Sequence, residues 1–129
     1  MIDFRPDSKA LDFYLNSPMG TVGMWLRARG RRLLAAARSQ VGVRTGALRA
    51  SLHMRHNRDP RGQYIEVGSS LSYARLHHDG SKPHLIFPNK RQVLQFRSRG
   101  QIVLTHMVRH PGTRPNRYLT DNLRTLDIR

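Results

Sequence analysis

The chain has no cysteine, few acidic residues and no long apolar run. The absence of cysteine excludes disulfide bonds, thiolate metal ligands and cysteine nucleophiles. Asp and Glu together account for 8 of the 129 residues, against 23 Lys and Arg. No apolar run approaches the roughly 20 residues that a helix needs to span a bilayer, so we expect no membrane partner.

Sequence signatures of catalysis and metal binding are also missing. The seven histidines show no His-Glu-x-x-His or comparable ligand spacing, and Gly80-Ser81-Lys82 lacks the remainder of a phosphate-binding P-loop. A general acid and base could arise from His78, His84 and His110 only if folding brought them together, which their spacing does not require. We therefore predict no cofactor, no metal and no enzymatic activity.

The positive charge is the dominant property of the composition. The formal net charge is +15, and 20 of the 23 cationic residues are Arg. Arginine suits two-pronged pairing with carboxylate or phosphate, so we expect an anionic partner, either nucleic acid or an acidic protein surface. The chain has no helix-turn-helix, zinc-finger or RRM signature, and its nine aromatic residues lie mostly at apolar positions. A basic nucleic-acid-binding protein remains the alternative.

One short sequence motif, which we call the phrase, occurs twice. Both copies follow the pattern His-x-Gly-(Ser/Thr)-(Lys/Arg)-Pro-(His/Asn), at residues 78–84 and 110–116, 32 residues apart. Gly permits positive φ, Ser or Thr can hydrogen-bond the turn, and Pro extends the residue before it. The pattern predicts two rigid corner loops, although two independent turns would also fit. The predicted corner residues are His78, Gly80, Ser81, Pro83, His110, Gly112, Thr113 and Pro115.

Apolar spacing predicts an α+β fold. Ser17-Pro18 is a favourable helix start, and apolar residues every three to four positions predict a helix through about Gln40. Alternating segments between residues 52 and 108 predict strands, and Asn116 is placed to cap a last helix. The expected fold is a long N-terminal helix packed on an antiparallel sheet of four to five strands, with a short C-terminal helix. We expect residues 1–16 to form an N-terminal arm, in which residues 7–15 are either a short helix or a docking segment, and residues 17–129 a single domain.

Cations cluster on the long helix and near the predicted turns. Those on the helix face a partner or simply face solvent, and the sequence leaves both interpretations open. The candidate partner-contact residues are Arg27, Arg31, Arg32, Arg38, Lys82, Arg97, Arg99 and Arg114.

Three stretches resemble a known family. They are residues 43–52 (VRTGALRASL), 73–88 (YARLHHDGSKPHLIFP) and 108–119 (VRHPGTRPNRYL). In this order and spacing they are similar to segments of the head–tail connector, or tail-completion (neck), proteins of long-tailed phages. The chain departs from the family pattern at Arg44, where Asp is usual, at Asp79, where Glu is usual, and at Arg117-Tyr118, where Pro-Phe is usual.

The resemblance, which runs from about residue 20 to 126, implies a structural virion protein and no enzyme. Copies would form a ring, six-fold in this family, in the phage neck, as a tail-completion or tail-terminator protein joining the DNA-filled head to the tail. The implied partners are further copies of the chain and the neighbouring head-closure, connector and tail-tube proteins, with phage DNA passing through the lumen. Assembly would take place in the host cytoplasm.

Overall fold

The computed structural model describes residues 5–126, and their contacts divide them into two compact units. The first unit comprises residues 5–74 and 117–126, and the second comprises residues 75–116. In chain order the elements are α1 Ser8–Asn16, α2 Thr21–Gln40, α3 Ala47–Ser51, β1 His53–Asp59, β2 Gly62–Gly68, α4 Ala74–Asp79, β3 His84–Ile86, β4 Leu94–Ser98, β5 Gln101–Thr105, β6 Val108–His110 and α5 Thr120–Leu123.

The expected α+β class is confirmed, together with the long N-terminal helix and the short C-terminal helix. The strands of residues 5–126 differ from the expectation in one respect, because they form three two-stranded antiparallel sheets instead of one sheet of four to five strands. The pairs are β1 with β2, β3 with β6, and β4 with β5. Each strand therefore keeps one edge without a strand partner. The division into an arm of residues 1–16 and a single domain of residues 17–129 stays a prediction.

Two helices form the N-terminal region: α1 lies within residues 1–16, the predicted arm, and α2 is the helix expected from Ser17. Asp7 caps α1, its carboxylate accepting the backbone N–H of Lys9 at 2.9 Å and of Ala10 at 3.3 Å. The chain then turns over residues 17–20, and α2 begins at Thr21. Gly20 permits the turn, since a Cβ there would lie 2.8 Å from the Tyr14 carbonyl oxygen. Residues 8–16 of the predicted arm are thus helical, and residues 1–4 lie outside the described residues.

Helix α2 crosses the β1–β2 hairpin at Gly30. A Cβ at this position would lie 2.5 Å from Met54 Sδ and 2.7 Å from Ile65 Cγ2. Glycine in a helix interior costs on the order of 1 kcal/mol relative to alanine, so its presence here is explained by the close approach of the two elements. In the C-terminal half of α2, Leu33 and Ala37 are buried, and Ala37 belongs to the core of the first unit.

The first unit has a small core built around one aromatic side chain. Tyr118 is 1% exposed, and its hydroxyl donates to the Ala74 carbonyl oxygen at 3.3 Å. The buried cluster consists of Ala37, Val41, Leu48, Leu52, Ala74 and Tyr118. Residues far apart in sequence, from Ala37 to Tyr118, therefore pack together in the core of this unit. Among residues 5–126, no helix is both long and apolar enough to cross a bilayer.

Candidate functional site: the paired corner loops

The two copies of the repeated phrase pair directly with each other in the second unit. Ser81 and Thr113 form an isolated antiparallel bridge, in which each backbone N–H donates to the other's carbonyl oxygen at 3.1 Å. Their hydroxyl oxygens are 2.8 Å apart and share a hydrogen bond. The same ladder continues into β3 and β6, where His84 lies opposite His110. The two corners thus form one closed structure in place of two independent turns.

The pairing has approximate two-fold symmetry, because equivalent positions of the phrase make equivalent contacts. Gly80 has φ +77°, and a Cβ there would lie 2.6 Å from the Thr113 carbonyl oxygen and 2.9 Å from Pro115 N. Gly112 has φ +84°, and a Cβ there would clash with the Ser81 carbonyl oxygen and lie 3.0 Å from Pro83 N. Each glycine therefore supplies both the positive φ of its own turn and room for the other copy.

Two histidines of the phrase, His84 and His110, bond to backbone. His110 Nδ1 accepts the backbone N–H of Gly112 at 3.0 Å. Because a carbonyl can only accept, the 2.8 Å contact of His84 Nδ1 with the Lys82 carbonyl oxygen requires a proton on His84 Nδ1. The two rings lie side by side with centroids 5.0 Å apart and 31° between their planes. In its neutral form His110 then carries its proton on Nε2, which leaves that atom unsuited to ligating a metal.

His78 bonds to a side chain instead of the backbone. Its Nδ1 lies 2.7 Å from Asp79 Oδ1, and Arg75 Nε lies 3.5 Å from Asp79 Oδ2. The hydrogen bond from His78, reinforced by its charge when protonated and by Arg75, holds the pKa of the Asp79 carboxyl below its ordinary value. Asp79 is the one carboxylate of residues 75–116, and its partners within the chain are His78 and Arg75.

The second copy is held to α4 through its last residue. Asn116 N donates to the His77 carbonyl oxygen at 3.1 Å. Asn116 was expected to cap the C-terminal helix, but Leu119 takes that position and α5 spans four residues. Within residues 5–126 no group of three or more His, Asp or Glu side chains is arranged to hold a metal ion.

The cations of the second unit lie around the paired corners and along a neighbouring hairpin. Lys82 and Arg114, the equivalent cations of the two copies, are both exposed. Arg97 lies on β4, and Arg99 lies in the two-residue turn that joins β4 to β5. Residues 75–116 hold eight Lys and Arg against the single Asp79. The second unit therefore carries a strong net positive charge.

The four candidate arginines of α2 differ in their surroundings. Arg38 has a structural contact, since its Nη2 donates to the Leu52 carbonyl oxygen at 2.7 Å. Arg27 is half-buried, with its Nη2 3.4 Å from Met19 Sδ. Arg31 and Arg32 are exposed. These last two are the helix cations best placed to contact a partner.

Two features of the site were not predicted from the sequence. The first is the pairing of the copies with each other. The sequence did offer one indication of this pairing. The two copies flank a strand-rich segment, and a chain that reverses within such a segment can bring its two ends side by side in antiparallel order. The second is Arg99, whose φ of +50° is unusual for a residue with a side chain. The sequence Arg-Gly gave no signal of it, because Asn-Gly or Asp-Gly is the usual form of this turn.

A comparison with protein families gives a match over part of the chain. The model described as "Bacteriophage HK97-gp10, putative tail-component" matches residues 21–80, which is 60 of the 129 residues. No match was found among curated proteins or among solved structures. The matched segment contains the first of the three resembling stretches and the beginning of the second, through Gly80. The resemblance to phage proteins of this type is thereby confirmed over residues 21–80, and it supports a structural component of a phage tail.

Proposed function

We propose that this chain, similar over residues 21–80 to the HK97 gp10-like phage tail components, forms a ring in the neck that joins the DNA-filled head to the tail. In this role it acts as a tail-completion or tail-terminator protein and contacts further copies of itself, the connector or head-closure proteins above and the tail-tube protein below. The family match carries the proposal. The paired corners support it, because a ring subunit needs loops whose shape is fixed before assembly.

The paired corners display cations from a rigid base. The Ser81–Thr113 bridge fixes the backbone from which Lys82 and Arg114 project, and both of these side chains are exposed. Fixing the backbone before binding lowers the entropy lost on association. The corners are thus suited to recognising carboxylates of a neighbouring subunit.

The charge of the chain suits acidic protein neighbours better than the DNA in the lumen. A conduit that bound its DNA tightly would impede passage, because each phosphate contact adds affinity. We propose that the exposed Arg31 and Arg32 of α2, together with the cations of the second unit, face acidic surfaces of the adjoining rings. Charged residues across an interface set specificity and the rate of encounter.

Deletion of the gene in the parent phage, with negative-stain electron microscopy of the lysate, tests the neck role. Filled heads and finished tails that remain unjoined are the expected result. Tails of uncontrolled length would also support the proposal and would identify the chain as the tail-terminator protein. Normal virions would overturn it.

Charge reversal tests the acidic-neighbour assignment separately. Arg31→Glu with Arg32→Glu should weaken the complex with the adjoining rings and reduce its dependence on salt. The matched control is Arg38→Gln, which alters a helix arginine whose contact lies within the chain. An unchanged complex after the double reversal would contradict this assignment. Steeply salt-dependent DNA binding that the same reversal abolishes would favour the alternative, a basic nucleic-acid-binding protein.

A further inference from the structure

The β4–β5 hairpin exposes an apolar face. Its register places Gln95 opposite Leu104 and Arg97 opposite Ile102, and these four side chains share one side of the two-stranded sheet. Leu104 is 63% exposed and Ile102 is 58% exposed. Strand β5 carries the continuous apolar run Ile102-Val103-Leu104, and the two apolar residues on this face, Ile102 and Leu104, are left in water.

The hairpin has little to stabilise it alone. A two-stranded hairpin is marginally stable in water unless a face is covered. The opposite side holds Leu94 and Val103, which are half-buried, and Phe96, which is 39% exposed, so that side is more covered than the side with Leu104. An exposed apolar surface of this kind usually marks an interaction site. We therefore take the Leu104 side as a docking surface and refer to it as the ribbon face, defined by Gln95, Arg97, Ile102 and Leu104.

The charge around the ribbon face restricts the partner. Residues 75–116 carry eight cations, and their single carboxylate, Asp79, is engaged by His78 and Arg75. A second ribbon face would bring like charges, Arg97 of each copy, together across the interface, which disfavours that pairing. The partner surface must therefore be apolar and free of cations.

The chain itself contains such a surface. Between Lys9 and Arg27 the single charged residue is Asp12. On α1, Leu11, Tyr14 and Leu15 lie at helical spacing on one side, and they are 45%, 54% and 54% exposed. None of the residues of α1 is buried. We refer to Leu11, Asp12, Tyr14 and Leu15 as the α1 face.

A second stretch of low charge is less suitable. Residues 62–81 contain Glu66, Arg75 and Asp79, so their net charge is also slightly negative. Their exposed large side chains are Tyr64, Tyr73 and Leu76, which are dispersed over a strand, a turn and a helix. The α1 face presents its apolar residues together on one helix, so one hairpin face can cover them at once.

We propose that the ribbon face of one copy docks on the α1 face of a second copy. This inference rests on the proposed ring, for which it supplies the contact between subunits. The two surfaces are different, so the contact is heterologous, and heterologous contacts repeated around an axis close into rings. Ile102 and Leu104 would cover Leu11, Tyr14 and Leu15, while Arg97 of one copy would face Asp12 of the next.

Cysteine cross-linking tests the contact directly, since the chain has no cysteine of its own. Leu104→Cys and Tyr14→Cys are made in separate full-length chains, mixed, assembled into rings and mildly oxidised. Because each chain carries one cysteine, any 104–14 disulfide joins two copies. The matched control replaces Tyr14→Cys with Val43→Cys, whose side chain is 56% exposed, similar to Tyr14.

The expected result is a 104–14 product at least about tenfold above the 104–43 product, since a tenfold ratio corresponds to a specific contact of modest strength. Equal yields would overturn the inference, and so would a dominant 104–104 product, which would indicate ribbon-to-ribbon contact. Rings that form without the 104–14 link would overturn this inference and leave the neck role intact. Virions that stay normal after gene deletion would overturn the neck role itself.

A charge exchange gives an independent test. Asp12→Lys and Arg97→Glu should each weaken ring formation, measured by sedimentation velocity, because each brings like charges together at the contact. A mixture of the two variants should restore rings, since alternating copies then place opposite charges at every contact. In the control mixture of Asp59→Lys with Arg97→Glu, rings should form from the Asp59→Lys copies, which keep Asp12 and Arg97, and the Arg97→Glu copies should be largely excluded from them. Failure of the first mixture to restore rings would count against the α1 face as the partner.

Discussion

Replacing Gly112 with alanine should destabilise the second unit far more than the same change at Gly100. The two glycines have nearly the same backbone conformation, with φ of +84° at Gly112 and +83° at Gly100. They differ in their surroundings, because a Cβ at Gly112 would clash with the Ser81 carbonyl oxygen and a Cβ at Gly100 would meet nothing within 4 Å. Comparing the two alanine variants therefore separates two free-energy costs, that of the left-handed backbone conformation and that of the steric clash with Ser81.

The expected magnitudes follow from these contacts. A left-handed backbone conformation costs an alanine about 1–2 kcal/mol relative to glycine, and this cost is common to both variants. At Gly112 the clash is with backbone, so the Ser81–Thr113 bridge must open, with the loss of two backbone hydrogen bonds and the shared hydroxyl bond. At about 1 kcal/mol each, this adds about 2–3 kcal/mol. Gly112→Ala should therefore cost about 3–5 kcal/mol in total.

Urea unfolding and hydrogen exchange together measure this difference. Unfolding followed by circular dichroism gives the change in the free energy of unfolding for each variant. Exchange of the Ser81 and Thr113 amides, which donate the two bridge hydrogen bonds, should speed up in Gly112→Ala and stay close to the parent rate in Gly100→Ala. Equal destabilisation by the two variants would refute the pairing of the corners. Gly80→Ala should behave like Gly112→Ala, because the contacts of the two copies are equivalent.

Three further changes test other parts of the structure. Arg99→Asn should raise the free energy of unfolding by about 0.5–1 kcal/mol in urea, because Asn adopts the positive φ of this turn more readily, whereas Arg99→Lys should change nothing. Tyr118→Phe should cost about 1 kcal/mol through the lost hydrogen bond to Ala74, and Tyr118→Ala about 3–5 kcal/mol through the cavity, so similar thermal shifts for both would contradict the core assignment. Because the pKa of Asp79 is lowered on folding, its contribution is present above its ordinary value of 3.8 and is lost as the pH falls through the lower folded value. Asp79→Asn should therefore flatten an acid titration of stability in that range, and an unchanged profile would contradict the bond from His78.

Local patterns predicted the secondary structure best where they did not depend on distant partners. The apolar spacing of α2 placed its end at Gln40, as observed. Its start was wrong, because Gly20 allows the chain to turn tightly after α1, and this close approach is a tertiary contact.

The sheet arrangement depended on contacts that the sequence pattern does not encode. Alternation identifies strands but does not determine which strand lies beside which, and here three separate pairs formed among residues 5–126. Likewise Asn116 has the chemistry of a helix cap, and only the fold decided that it bonds His77 instead. Arg38 was selected for its charge, whereas the fold uses it to satisfy the Leu52 carbonyl.

By itself the sequence determined the charge, the α+β class, the repeated turn phrase and the resemblance to phage neck proteins, because composition, periodicity and short motifs are properties of the chain alone. The tertiary structure decided that the two phrases close on each other through Ser81 and Thr113, and that Ile102 and Leu104 stay in water. These outcomes depend on which distant segments meet. Every residue except proline carries the same backbone N–H donor and C=O acceptor, so hydrogen bonding alone does not determine which segments pair.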